Sequence, residues 1–113
     1  MPLGILDGDG RLIGRATLTG IVQGAFRSAD LGYWVSEASN GCGHGTQAVA
    51  SLVRMAFEEL GLHRVQAGTL VRNERSQRVL LKNGFTRIGV APEYLRIAGR
   101  WQDHVLFQRI CRE

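Results

Sequence analysis

A glycine-crowded turn, Asn40-Gly41-Cys42-Gly43-His44-Gly45-Thr46, joins an aromatic strand pattern, Leu31-Gly32-Tyr33-Trp34-Val35, to an amphipathic helix predicted over Thr46 to Leu60. Glycine at every second position, 41, 43 and 45, lets the backbone turn sharply with its N–H groups converging, and no side chain blocks a ligand's approach. The start of the following helix adds a partial positive charge. Strand, turn and helix together therefore predict an anion cradle, and phosphate is its commonest occupant.

Two familiar phosphate binders fail on what they additionally need. A P-loop requires Gly-Lys followed by Ser or Thr, because the lysine reaches the outer phosphates and the hydroxyl holds magnesium. Here Gly45 is followed by Thr46 and Gln47, and no lysine precedes Lys82. A dinucleotide fold requires its third glycine three residues after the second, and an acidic residue at the end of the next strand for the ribose. The strand predicted from Arg64 to Leu70 contains neither Asp nor Glu. The remaining common options are a pyrophosphate held by backbone amides, with neither lysine nor metal, and a glycine-rich loop that holds no ligand.

The chain of 113 residues predicts a single domain over residues 1–113, with a small core. No apolar run approaches the ~20 residues of a spanning helix. The Met1 end has neither a basic nor an apolar leader region, so the cytoplasm is the expected location. Cys42 and Cys111 show no zinc-site spacing, and no metal is expected. The net charge of +4 suits an anionic partner, but no nucleic-acid motif accompanies it.

Leu3 to Asp7 and Leu12 to Thr19 read as a hairpin around Gly8-Asp9-Gly10, followed by a polar connection from Gly20 to Asp30. Val49, Leu52, Val53, Ala56, Phe57 and Leu60 repeat at three and four residues, a helical stripe that faces a sheet and ends at Gly61. Arg64 to Val71 is the next strand, Asn73 caps a helix ending at Gly84, and Phe85 to Val90 with Trp101 to Ile110 form a closing antiparallel pair. The pattern predicts an α+β fold of three layers around a mostly antiparallel sheet.

Three ordered motifs carry a resemblance that covers nearly the whole chain. The turn, with Asn40, Gly43 and Gly45 at the key positions, resembles the Q/R-x-x-G-x-G/A motif of the GNAT N-acetyltransferases, with Asn40 a departure from Gln or Arg. Asn73-Glu74-Arg75-Ser76, followed by Leu81-Lys82-Asn83-Gly84-Phe85, is similar to the N-x-x-S and glycine-phenylalanine pattern of their RimJ/RimL branch. The segment from Gly89 through Glu93-Tyr94-Leu95, Gly99, Trp101 and Asp103-His104-Val105-Leu106 is similar to that branch's ending. There Ala98 replaces the usual Asp of an Asp-Gly turn, and Ile88 the usual Glu before Gly89. The phrase from Ile21 to Trp34 resembles the RimJ side specifically.

The resemblance implies the α/β/α GNAT fold and transfer of an acetyl group from acetyl-coenzyme A to a primary amine. Gly41, Cys42, Gly43, His44, Gly45 and Thr46 would hold the pyrophosphate, and the backbone of Tyr33, Trp34 and Val35 would pair with pantetheine like an added strand. The N–H of Val35 would meet the developing oxyanion, while Asn73 would fix the arm. The implied catalytic pair is Glu93, as base for an amine of pKa roughly 8 to 10, and Ser76, at the departing thiolate. Without the resemblance, Asn73 and Ser76 read as a helix cap and Glu93 as a solvated loop residue after Pro92. Glu37 is a second candidate base, and His44, His63 and His104 are tempting but fall where the family varies or uses the residue structurally. Arg75, Arg78 and Lys82 share one helix face, to meet a phosphate or to be solvated.

The RimJ-like phrase favours the N-terminal α-amine of a protein, ribosomal above all, as acceptor. The family's domain ordinarily begins with a strand and two helices ahead of the segment matching Leu3, so the chain reads as N-terminally truncated. The uncovered sheet edge invites a homodimer. Two other readings follow: a non-catalytic coenzyme A binding module or inactive remnant, and an acetyltransferase for a small amine such as an aminoglycoside or polyamine.

Overall fold

A computed structural model describes residues 2–6, 12–24, 27–35 and 43–111. The elements run β1 (Pro2–Leu6), β2 (Leu12–Val22), β3 (Ser28–Val35), α1 (His44–Glu58), β4 (Arg64–Leu70), α2 (Glu74–Lys82), β5 (Thr86–Ile97) and β6 (Arg100–Ile110). They build one sheet of order β1-β2-β3-β4-β6-β5. The β3–β4 pair is parallel, and the other four neighbouring pairs are antiparallel. The mostly antiparallel sheet is thus as expected. The described residues supply the sheet and one helical layer of the three-layer arrangement.

The core lies between the sheet and α1. Val49, Leu52, Val53 and Ala56 are buried on one side of the helix, as their three-and-four spacing requires. They meet Ala16 and Leu18 of β2, Ala29 and Leu31 of β3, Val65 and Ala67 of β4, and Val105 and Phe107 of β6, all in one cluster. Along β4 buried and less buried residues alternate, the signature of a strand with one face on the core. Helix α2 packs beside α1, and the buried Asn83 donates its side-chain N–H to the carbonyl of Thr46 at 3.2 Å. No helix among the described residues is long and apolar enough to cross a membrane.

The strands are longer than the sequence pattern suggested. The polar connection predicted from Gly20 to Asp30 narrows to residues 23–27, because β2 continues to Val22 and β3 begins at Ser28. Polar residues such as Thr19 and Asp30 are paired across the ladder with their side chains exposed, so polarity did not mark a loop. The turn expected at Gly8-Asp9-Gly10 lies outside the described residues. Helix α1 begins two residues before the predicted Thr46 and ends two before Leu60.

The largest correction concerns the segment after Val90, which reads as irregular but continues as strand to Ile97. It escapes detection because both ends of the hairpin are exposed, leaving no apolar alternation to read. A bulge accommodates Pro92: the register passes from Ala91↔His104 to Leu95↔Gln102, so three residues of β5 oppose Asp103 alone. An edge strand with a bulge tolerates a residue that lacks a backbone donor. The hairpin closes at Ile97↔Arg100 through Ala98 and Gly99, at φ 52° and 79°. Two successive positive φ values are the pattern of a type I′ turn, which favours Asn-Gly or Asp-Gly over Ala-Gly. Ala98→Asn is therefore expected to stabilise the chain by about 0.5 to 1 kcal/mol, read as a higher midpoint in urea at unchanged slope.

Candidate active site

The site is organised by an opening in the sheet. Strands β3 and β4 pair in parallel only from Ser28↔Arg64 to Leu31↔Ala67. Beyond that point each continues, β3 to Val35 against β2 and β4 to Leu70 against β6, without pairing to the other. The closed end is pinned: the carbonyl of Arg27 accepts from the N–H groups of His63 and Arg64, at 2.7 and 3.1 Å. The Arg27 guanidinium in turn reaches back to the carbonyl of Gly61, with its Nε at 2.9 Å. At the open end, the backbone of Gly32–Val35 faces a gap where an extended chain can add main-chain hydrogen bonds.

Helix α1 begins at the same end. Its N-cap, Gly43, has φ 80°, and no side chain caps the helix among the described residues. The N–H of Gln47 bonds the Gly43 carbonyl at 3.0 Å, so the preceding amides of the first turn have no partner within the helix. A Cβ placed on Gly43 meets nothing within 4 Å among the described residues. The glycine is required there by its left-handed backbone. Gly43 is the N-cap, and His44 and Gly45, expected in the turn, are with Thr46 the first helical residues. Asn40, Gly41, Cys42 and the alternative base Glu37 lie outside the described residues.

Helix α2 supplies the other wall. Asn73 caps it, its Oδ1 accepting from the N–H of Ser76 at 3.2 Å. Gln77 donates to the carbonyls of Leu70 and Val71, at 3.3 and 3.0 Å, which fastens the first turn of α2 to the end of β4. Across the opening, the Tyr33 hydroxyl lies 2.8 Å from Ser76 Oγ. Burial pushes the Tyr33 phenol above its ordinary pKa, an effect the hydrogen bond to Ser76 opposes. Asn73, Ser76 and Tyr33, three residues singled out from sequence, are thus one hydrogen-bonded group. The side chain of Tyr33 is what sequence reasoning missed, since only its backbone was assigned a part.

Glu93 stands elsewhere, on the edge strand β5 within the bulge. Its φ is 48°, and its N–H donates to Asp103 Oδ1 at 2.8 Å. No hydrogen bond joins Glu93 to Ser76 or Tyr33 among the described residues. Asp103 also lines an open cleft of about 360 Å³ with Leu70, Val71, Arg72, Trp101 and Gln102, between the ends of β4 and β6. Asp103 was part of a quoted motif without a role; the residue opposite a three-residue bulge cannot be picked out until the register is known.

The side chains of two histidines are described. His104 is buried, its Nδ1 3.0 Å from the Gln102 carbonyl and its ring 5.5 Å from that of Tyr94. His63 is exposed, and its backbone ties β3 and the chain end together. Arg75, Arg78 and Lys82 are exposed on α2. Among the described residues, no three His, Cys, Asp or Glu side chains gather where they would hold a metal.

Among the described residues, a helix start with no side-chain cap thus stands beside a split in the sheet. The chain belongs to the GNAT acetyltransferase family, whose domain model matches residues 1–86. It is 47% identical over 96 residues to the Bacillus subtilis (strain 168) protein named "Probable N-acetyltransferase YjcK", covering 85% of this chain and 53% of that one. With the Escherichia coli (strain K12) [ribosomal protein uS5]-alanine N-acetyltransferase it shares 35% identity over 104 residues, 91% of this chain and 54% of the relative. The structure of Mycobacterium smegmatis RimJ in complex with CoA-disulfide superposes with a TM-score of 0.88 at 34% identity, over 96% of this chain and 53% of that one. The chain spans about half the length of the curated relatives it matches.

Gly43→Ala is expected to fold, with a cost of about 1 kcal/mol from the left-handed backbone. It should weaken coenzyme A binding by roughly tenfold, because displaced amides lose about one hydrogen bond's worth of affinity. Thermal melting and isothermal titration read the two effects separately; unchanged affinity in the folded variant refutes the cradle.

Proposed function

We propose that this chain carries the donor-binding and catalytic part of an N-acetyltransferase that acetylates a primary amine, with a protein N-terminal α-amine as acceptor. The observation that carries the reading is the run over which β3 and β4 no longer pair with each other, with the Gly43-led start of α1 at one wall and the Asn73–Ser76 turn at the other. Acetyl-coenzyme A supplies an acetyl thioester, whose C–S bond breaks as the C–N bond to the amine forms, giving the acetylated amine and the free thiol. In this reading the α1 amides from Gly43 to Thr46 hold the diphosphate, together with residues 41 and 42 of the turn. The backbone of Tyr33 to Val35 pairs with the arm, and Asn73 fixes it. Ser76 offers its hydroxyl to the departing sulfur. Glu93 takes the proton that the amine loses, directly or through water, and the sulfur gains one, so the exchange balances.

The strained backbone at Glu93 supports a working role for it. A non-glycine residue at positive φ costs of order 1 kcal/mol or more, and such residues concentrate at functional sites. The choice of a protein α-amine is supported by the likeness to the uS5-alanine enzyme over 91% of the chain. Spermidine acetyltransferase structures from Vibrio cholerae share the fold at 24% identity, which leaves the acceptor open on their account.

The reading is tested by titrating acetyl-coenzyme A into the chain and following thiol release with a peptide bearing N-terminal alanine, against spermidine as a competing acceptor. Micromolar binding with faster release on the peptide is expected. Binding without release to either amine would leave a coenzyme A binding module. Glu93→Gln is expected to lower turnover by about 10²-fold to 10⁴-fold at unchanged cofactor affinity. Glu93→Gly should lose activity to the same degree yet melt no earlier than the parent, since glycine accepts the positive φ freely. A loss below threefold in either variant would return Glu93 to an ordinary edge residue.

A further inference from the structure

Resting on the acetyltransferase reading, we propose that Tyr33 is a positioning residue for Ser76: its phenolic O–H donates to Ser76 Oγ and thereby aims the serine O–H at the departing sulfur. The distance of 2.8 Å between the two oxygens is that of a good O–H···O bond. Either hydroxyl can donate, so what decides the direction is which of them has another acceptor to serve. In the reading above, Ser76 sits at the mouth of the opening, where the sulfur needs a donor, whereas the half-buried Tyr33 hydroxyl has, besides Ser76 Oγ, the Ser76 carbonyl oxygen at 3.4 Å, longer than a good O–H···O bond, so Oγ is its better acceptor. Tyr33 donating and Ser76 relaying satisfies both groups; the reverse leaves the sulfur without a donor.

Two further features hold the pair in place. Ser76 lies in the first turn of a helix whose cap, Asn73, accepts from the Ser76 N–H, so its Cα is fixed. Tyr33 is fixed at its ring by the core and at its backbone by pairing with Ala16 of β2. What remains free is rotation of the serine about its Cα–Cβ bond, and a second hydroxyl at 2.8 Å selects one rotamer of three. Burial raises the phenol above its ordinary pKa, which favours the protonated form that donates. No proton leaves Tyr33: it holds one hydrogen bond from start to finish.

The test uses Tyr33→Phe, which keeps the ring packing and removes one oxygen. Turnover in the thiol-release assay should fall about tenfold, the worth of one hydrogen bond, while affinity for coenzyme A stays within twofold. Ser76→Ala and the Tyr33→Phe/Ser76→Ala double variant should be equally slow, because Tyr33 acts only through Ser76. If Tyr33→Phe slows the Ser76→Ala chain by its full factor, Tyr33 acts independently and the inference is overturned.

A second readout needs no turnover. The chain has two tyrosines, so in a Tyr94→Phe background absorbance at the phenolate band reports Tyr33 alone. Ser76→Ala should move that titration further up, because the hydrogen bond to Ser76 is what lowers it. No movement means the bond does not form in solution, and the inference fails. A parent chain that releases no thiol defeats the acetyltransferase reading and this inference with it; an active parent matched by Tyr33→Phe defeats the inference alone.

Discussion

The four-residue parallel ladder from Ser28↔Arg64 to Leu31↔Ala67 is the constraint on which the rest of the molecule depends. A full-length pairing of β3 and β4 would close the sheet and leave no place for a ligand. No pairing would split the core in two, since Ala29, Leu31, Val65 and Ala67 are all buried beneath α1. The ladder is fixed at its closed end by polar contacts that have no slack: the Arg27 carbonyl takes two N–H groups, and Arg64 donates to Ser28 Oγ at 3.1 Å and to Gln108 at 2.7 Å. Two helices then start at the open end, and they are tied to each other by Asn83.

That arrangement explains why the chemistry-bearing residues are so far apart in the chain. Tyr33 lies in β3 just past the last residue paired to β4, Gly43 opens the next helix, and Asn73 and Ser76 follow the end of β4. Each lies beyond the ladder, on the side where β3 and β4 no longer pair. Backbone groups there are available to a ligand because the sheet does not use them. The ribbon of β5 and β6 beyond His104, which extends past the end of β4, follows a different principle. It is a two-stranded ribbon with exposed faces, shaped by a bulge at Pro92–Tyr94 and a tight turn at Ala98-Gly99, and it presents Glu93 on a strained backbone.

Much of this was legible beforehand, and the reasons differ by element. Helix α1 shows in the stripe of Val49, Leu52, Val53 and Ala56, because burial against a flat sheet demands that spacing. Helix α2 shows in its cap, Asn73, and in the glycine that ends it. The glycine that opens α1 was readable because a left-handed position is a backbone requirement and not a packing one. The long hairpin from Ala91 to Arg100 was not, since neither face is buried and strand continuation there rests on pairing with β6. The strand ends at residues 20–22 and 28–30 were hidden as well, the first because it is exposed, the second because the buried Ser28 and Ala29 are adjacent and show no alternation.

By itself, then, the sequence determined the helices, the one-sided burial of the strands, the glycine at the start of α1 and the resemblance to the family to which the chain belongs. These are local: each follows from residues a few positions apart. Only the tertiary structure decided that Tyr33 meets Ser76, 43 residues away, through a bond of 2.8 Å, and that Asp103 holds the backbone of Glu93. Such contacts depend on the register between strands and on where a ladder stops, quantities set by the packing of the whole core and carried by no short stretch of the chain.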